Sequence, residues 1–415
     1  MKFFLLLVSC LLVQYSIGQI NLAGKIIDTS TKQPIIGASI FLSNTSIGTV
    51  SNEKGDFFIQ HIPQGKFELI VSSLNYETYI TTIQSAQIAA TLTIRLKPVS
   101  NILKEIIVES YDKDGWEKWG DYFKTNFIGT SSITKNCTLT NPDAVRFRFN
   151  SKTNIVKAFA HEKLVFENKA LGYNIKYLLV KFEFDISANT FKYIGYPLFE
   201  KMIPRNTEEG KKWEINRVNT YTGSLMHFMR SLFSNQLVEQ GFQVNALKIV
   251  TDMEKNRVRK LYKQMEATRK NWSVNNKEKT ELIPDKDSLD YYLKVMSLSG
   301  DEFKVILNKL IVRDSLIFPI DVSVEPGAAF FAFDDYLHIT YLHKKEPYEY
   351  TKFLLKRPNK YFISSDITLP FQKGVPIYKN GSYFYGENIF TDGFWAWSEK
   401  LSTMLPTDYW PNEKK

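Results

Sequence analysis

The sequence predicts a small antiparallel β-sandwich at the front, followed by a larger β-rich α+β region. Three patterns carry that expectation. Short apolar or alternating runs recur between turn residues from Ile20 to about Leu96, the spacing of a small all-β domain. Period-two alternation returns in Val145–Phe149 and Lys181–Asp185, which makes one sheet face apolar and the other wet. Apolar stripes at intervals of three and four in 116–127 and 225–237 add amphipathic helices. With 415 residues, 44% of them apolar and 23% charged, the chain has the make-up of a folded protein of two or three domains. It is too short for a transporter barrel of about 22 strands with a plug.

The chain opens with Lys2 and the apolar run Phe3–Val13, too short to span a bilayer and shaped like a secretory leader. Residues 1–18 are read as that leader, with Ser16 and Gly18 placing the cut before Gln19. Leu7, Val8, Ser9 and Cys10 also spell a lipid-attachment pattern, but it leaves too little apolar chain upstream. The expected location is the periplasm or the outer membrane, with the cell exterior left open. No later segment has the roughly 18 unbroken apolar residues of a membrane helix. Beyond the leader Cys137 is the only cysteine, so no internal disulfide can form and stability rests on burial. Its Asn-Cys-Thr-Leu-Thr setting shows no activating partner, which favours an inert buried thiol.

Within residues 19–98 the expected strands are Leu22–Ile27, Ser39–Leu42, Phe57–Ile59, Phe67–Ser72, Tyr79–Ile83 and Leu92–Leu96. Pro34 with Gly37, Asn52 to Gly55, and Pro63-Gln64-Gly65 supply the turns, since proline presets one dihedral and glycine admits positive φ. Gly24, Asp28, Thr31, Pro34-Ile-Ile-Gly-Ala38, Gly48-Thr49, Ser51-Asn52, Gly55, Phe57, Ile62-Pro63, Gly65 and Ser73-Leu-Asn-Tyr76 together resemble the carboxypeptidase-like regulatory domain. The resemblance implies a prealbumin-like β-sandwich of the kind that heads many exported Gram-negative proteins. Asn75 stands where that family often has glycine, and asparagine tolerates the left-handed geometry the turn needs.

The resemblance does not bring peptidase chemistry. Zinc carboxypeptidases need His-x-x-Glu and a third, downstream histidine; His343-Lys-Lys-Glu346 has the spacing, but no histidine follows it. His61 sits beside a turn, His161 and His227 are isolated, and His338 and His343, five apart, fall on opposite faces of a strand. No metal site and no cofactor are expected, and no phosphate loop, EF-hand or zinc cluster is present.

Residues 99–113 read as a linker, although Leu103–Glu109 also resembles the segment that joins this domain to the plug of outer-membrane nutrient receptors. Residues 114–415 form the larger region, with a sub-boundary expected near 250–285. Trp116, Trp119, Phe123 and Phe127 predict a helix over 114–127, with Asp112 or Asp114 near its start and its rings in the core. Ser224 is placed to cap a helix over 225–240 whose stripe is Leu225, Phe228, Met229, Leu232, Phe233 and Leu237. Ser224 and His227 could also be read as nucleophile and base, but no nucleophile elbow or third partner accompanies them.

The net charge is +9, and its densest basic group is Lys255, Arg257, Arg259, Lys260, Lys263, Arg269 and Lys270. Asp252, Glu254 and Glu266 interrupt it at helical spacing, which reads as a solvated helix face rather than a nucleic-acid site. Residues 271–286 are expected to be a loop, with alternation resuming in Phe303–Leu310, Ile317–Val324 and Leu337–Leu342. In the tail, Phe394, Trp397, Leu401 and Met404 or Leu405 share a helical face that Pro406 ends. Its rings read first as docking core, and Trp395, Trp397, Tyr409 and Trp410 are the candidate binding surface should they be exposed instead.

The leading functional expectation is a non-enzymatic envelope protein that binds another protein or a glycan. Two alternatives stand beside it: an exported hydrolase using Asp334-Asp335 or Asp285 and Asp287, and a receptor-associated component of the outer membrane.

Overall fold

The computed structural model describes residues 20–88, 91–99, 111–272, 285–298, 303–321, 325–352, 361–370 and 374–411, with 268–272 as backbone alone. The expected leader with Cys10, the segment Leu103–Glu109, the end of the run reaching Val324 and most of the expected loop lie outside the described residues. The chain separates into two compact units, residues 1–43 with 47–107, and residues 44–46 with 108–415.

The first unit is a two-sheet sandwich. Its strands are β1 (Ile20–Asp28), β2 (Ser39–Leu42), β3 (Gly48–Val50), β4 (Asp56–Ile62), β5 (Lys66–Ser72), β6 (Tyr79–Gln84) and β7 (Leu92–Leu96). They pair in the orders β4-β1-β7 and β3-β2-β5-β6. Alternate residues of each strand turn inward, so Ile26, Ile40, Leu69 and Val71 are buried between the sheets. The pairing departs from the all-antiparallel expectation at one place: β7 runs parallel to β1, from Gly24 opposite Leu92 to Asp28 opposite Leu96, because the chain crosses from the other sheet before returning.

The turns work as their residues suggest. Asn52 Oδ1 accepts the N–H groups of Lys54 and Asp56, each at 2.9 Å. Gly55 has φ +76°, and a Cβ there would lie 2.5 Å from the carbonyl oxygen of Ile26. Asn75 adopts φ 66°, the left-handed geometry expected of it. The adjoining Tyr76 hydroxyl donates to Asp28 Oδ2 at 2.9 Å, while Asp28 Oδ1 accepts the N–H groups of Ser30 and Thr31. One carboxylate thus ties three segments of the sandwich together.

In the second unit, α1 (Gly115–Phe123) begins after Asp114, as the sequence predicts, but continues as a π-helical turn over Lys124–Ile128. The wider turn carries Phe127 onto a sheet made of β8 (Cys137–Leu139), β9 (Val145–Asn150), β10 (Ile155–Ala160), β11 (Leu164–Asn168), β12 (Tyr173–Asp185) and β13 (Thr190–Lys201). The long β12 is the spine: β13 pairs along it, while β11 and β10 take its two halves on the other side. Phe127 packs edge-on against Tyr177, Phe182 and Tyr193 at centroid distances of 5.0, 6.2 and 5.1 Å.

Helix α2 (Thr207–Tyr221) carries no strong apolar stripe, and the sequence reading missed it. Its signal was local: Asn206 accepts the Glu209 N–H at 2.8 Å, an N-cap with an acid three residues on. Helix α3 (Leu225–Phe233) is capped by Ser224, whose hydroxyl accepts the His227 N–H at 3.1 Å. It is shorter than the predicted 225–240, because Asn235 turns left-handed at φ 57° and breaks the ladder; Leu237 is buried from the loop instead.

The stripe of α3 covers a sheet in the order β15-β14-β18-β19-β21, where β14 is Phe242–Ile249, β15 Lys304–Leu310, β18 Tyr336–Lys345, β19 Phe362–Thr368 and β21 Phe390–Gly393. Phe228, Met229 and Leu232 meet Val244, Ile339, Ile363 and Ile367 in one core. A smaller sheet joins β16 (Ile317–Phe318), β17 (Ala328–Phe331) and β20 (Val375–Tyr378). The basic segment forms α4 (Asp252–Trp272), with Val258 buried and Arg257, Arg259, Lys260 and Lys263 exposed. A second helix, α5 (Lys286–Ser297), occupies residues that the sequence reading had left before the next strand. In the tail, Phe394–Ser398 makes the short helix α6.

Truncating Phe127 removes the ring at the centre of this aromatic contact set. Phe127→Ala is expected to destabilise the second unit by about 3–5 kcal/mol, read as a lowered urea midpoint with an unchanged m-value.

Candidate functional site

Several sequence candidates resolve into structural parts. His227 is buried beneath α3: its Nδ1 accepts the Gly223 N–H at 3.1 Å and its Nε2 lies 3.0 Å from Gln240 Oε1. That pairing makes Nε2 the protonated nitrogen, and burial holds the imidazole pKa below its ordinary value. Both nitrogens are occupied and Ser224 is a cap, so the pair is not a nucleophile with its base. Asp285 caps α5, accepting the Ser288 N–H at 2.9 Å, and Asp287 lies exposed in the first turn. Cys137 is buried, and burial alone pushes its thiol up to about 12, far from a reactive thiolate.

The tail aromatics do not form an exposed row. Trp395 is 2% exposed, donates through Nε1 to the Gly223 carbonyl and packs on Phe228; Tyr409 is 9% exposed. Trp397 is half-buried against Tyr350 and Phe394 and donates to Thr130 Oγ1. Trp410 is half-buried, with the Arg230 guanidinium 3.8 Å above its ring. The candidate binding surface is corrected accordingly: these rings are used in packing, and Arg230 fastens the tail by donating to the carbonyls of Asn380, Thr407 and Tyr409.

Two other features remain open to solvent in the second unit. The first is a cavity of about 320 Å³ beside the start of β18. It is lined by Phe318, Phe333 and Tyr336, with Asp334, Asp335 and Lys248 among its polar residues. Asp334 and Asp335 are exposed in the bend that enters β18, Asp335 at φ 61°. The structure therefore brings this sequence-singled acidic pair to an aromatic recess, within the size range of small-ligand sites.

The second feature is a polar row across the sheet. Register sets Asn245 of β14 opposite His338 of β18, His338 opposite Asp366 of β19, and Asp366 opposite Asp392 of β21. Because side chains alternate, all four lie on the face opposite Val244, Leu337 and Ile367. His338 Nδ1 is 2.7 Å from Asp366 Oδ1; Lys304 donates to Asp366 Oδ2 at 2.7 Å and to Asp392 Oδ2 at 2.5 Å. Burial works against the Asp366 carboxylate, but the His338 and Lys304 bonds outweigh it and hold its pKa below the ordinary value. Burial likewise opposes the Lys304 ammonium, and the two carboxylates more than compensate.

Residues 22–108 match the CarboxypepD_reg-like domain. The first unit thus carries that β-sandwich domain, as its turn residues led one to expect. No curated protein matches the chain. Among solved structures, a cohesin–X-dockerin complex of Acetivibrio cellulolyticus is 22% identical over 19% of this chain and 57% of its own, at a TM-score of 0.17. The pilus 2b backbone protein of group B streptococcus is 14% identical over 20% and 42%, at 0.16. A DUF3823 family protein of Bacteroides uniformis is 9% identical over 45% and 84%, at 0.14. The chain spans little more than half the length of the first of these.

Among the described residues no group of three or more histidine, cysteine, aspartate or glutamate side chains is arranged to hold a metal ion, and no helix is long and apolar enough to cross a membrane. His343 and Glu346 do not share a site: His343 is exposed and Glu346 is 3% exposed.

The Asp366 pKa gives a signed pH test. A carboxylate held lower in the folded state than in the unfolded one contributes stability above its ordinary value of 3.8 and loses it as pH falls through the folded value. Asp366→Asn is therefore expected to lower stability at neutral pH and to flatten the decline below pH 3.8, measured by urea unfolding across the acid range.

Proposed function

We propose that the chain is an exported cell-envelope protein whose second unit binds a small hydroxylated ligand, a sugar ring of an envelope glycan. The CarboxypepD_reg-like domain is its accessory module. The observation that carries the reading is the cavity that joins Phe318, Phe333 and Tyr336 to the exposed carboxylates of Asp334 and Asp335. A pyranose ring has apolar faces that stack on aromatic rings and hydroxyl groups that donate to carboxylates, and this recess offers both. Export is supported by the short apolar leader at 3–13.

Calorimetric titration with neutral mono- and disaccharides of bacterial envelope glycans tests the binding. Phe318 is 46% exposed, so Phe318→Ala should leave folding intact and weaken binding by about tenfold, and Asp334→Asn should weaken it further. Absence of saturable heat with the whole sugar panel would overturn the reading. The export half is checked by intact mass: the envelope fraction should hold a chain that begins at Gln19, and a cytosolic chain retaining Met1 would overturn it.

A further inference from the structure

His338 and Asp366 are not needed for the binding just proposed, and their geometry is that of a working pair. An ionised carboxylate only accepts hydrogen bonds, so the 2.7 Å contact places the hydrogen of His338 on Nδ1 and leaves Nε2 with its lone pair. Asp366 is itself held by Lys304, which Asp392 holds in turn, so the orientation of the ring is determined through four strands, β18, β19, β15 and β21. The His338 and Asp366 side chains are 16% and 14% exposed, dry enough to strengthen the pair and open enough for a small molecule to reach it. On the same face, Thr340 and Ser364 stand opposite each other two residues along, placing two half-buried hydroxyls one row from the imidazole, about 7 Å away at strand rise. In the other direction, Tyr336 of the cavity lies two residues along β18 on the same face, about 7 Å away at strand rise.

We propose that His338, oriented by Asp366, is the general base of a site that hydrolyses esters of a small acyl group on a hydroxylated carrier. Nε2 takes a proton from water as the water oxygen bonds to the acyl carbon, and the carbonyl electron pair moves onto its oxygen. The Thr340 and Ser364 hydroxyls, one row along the same face, are the donors assigned to that oxyanion. On collapse the acyl C–O bond breaks, and the imidazolium returns its proton to the departing alkoxide. Water and ester become carboxylic acid and alcohol, with the base regenerated. An ester suits a site with one base and no charged electrophile to spare, because Lys304 is committed to two carboxylates. The acyl chemistry rests on the dyad alone; the sugar carrier rests on the cavity reading.

The test uses the full chain and 4-nitrophenyl acetate, which contains no sugar. His338→Gln should lower kcat/KM by about 10²-fold. Asp366 is a positioning residue, so Asp366→Asn should lower kcat by about tenfold with KM unchanged. His161→Gln, at an exposed histidine in the turn after β10, should leave the rate as it is and so measures ordinary imidazole background. Equal rates for the wild type and His338→Gln, with both folded by near-ultraviolet circular dichroism, would overturn the proposal and leave His338–Asp366 as a sheet staple. A second substrate, an O-acetylated monosaccharide, separates the two readings. A dyad-dependent rate with no KM change in Phe318→Ala would keep the hydrolytic site and remove the sugar cavity.

Discussion

The edge-on packing of Phe127 between Tyr177, Phe182 and Tyr193 is the contact on which the second unit depends. The ring comes from a helix and its partners from two strands of one sheet, so a single side chain sets how far the helix stands from the sheet. It reaches that position because α1 widens into a π turn rather than ending at Phe123. Each such ring pair adds about 0.5–1.5 kcal/mol beyond the area it buries. In a chain whose one described cysteine is unpaired, that surplus takes the part crosslinks play in disulfide-bonded proteins.

The other large sheet shows how period two divides labour between faces. Val244, Leu337, Ile339, Ile363 and Ile367 pack under α3, which turns their strand neighbours to the opposite face. Those neighbours include Asn245, His338, Asp366 and Asp392, so a rigid apolar face holds a polar one in register. A site built on strands in this way loses less to side-chain mobility than one built on loops. The aromatic recess at the start of β18 adds a place for a ligand within one register step.

Much of the first unit was legible because its punctuation is chemical: Asn52, Gly55 and Asn75 each do what their side chains, or the lack of one, permit. The helix stripes at Trp116–Phe127 and Leu225–Phe233 were legible for the same local reason. What escaped was non-local or weakly patterned. Helix α2 has little apolar periodicity, and only Asn206 and Glu209 marked its start. The tail rings were legible as docking core, but sequence alone does not show that Arg230 is what holds their segment. His338 was read beside His343 on its own strand, whereas its partner Asp366 is 28 residues away and adjacent only once β18 and β19 pair. Of the two acidic pairs singled out, Asp285 became a cap and Asp334-Asp335 a cavity rim, a distinction decided by whether a helix follows.

Arg230 is 3% exposed and spends its hydrogens on three main-chain oxygens, two of them in the last stretch of described chain. Its charge is met in part by the dipoles of those peptide groups and by the Trp410 ring 3.8 Å away. A stop codon before residue 407 would not trim a loose end; it would remove two main-chain acceptors of the guanidinium and the Trp410 ring stacked on it, so carboxy-terminal processing would be felt in the core of this unit.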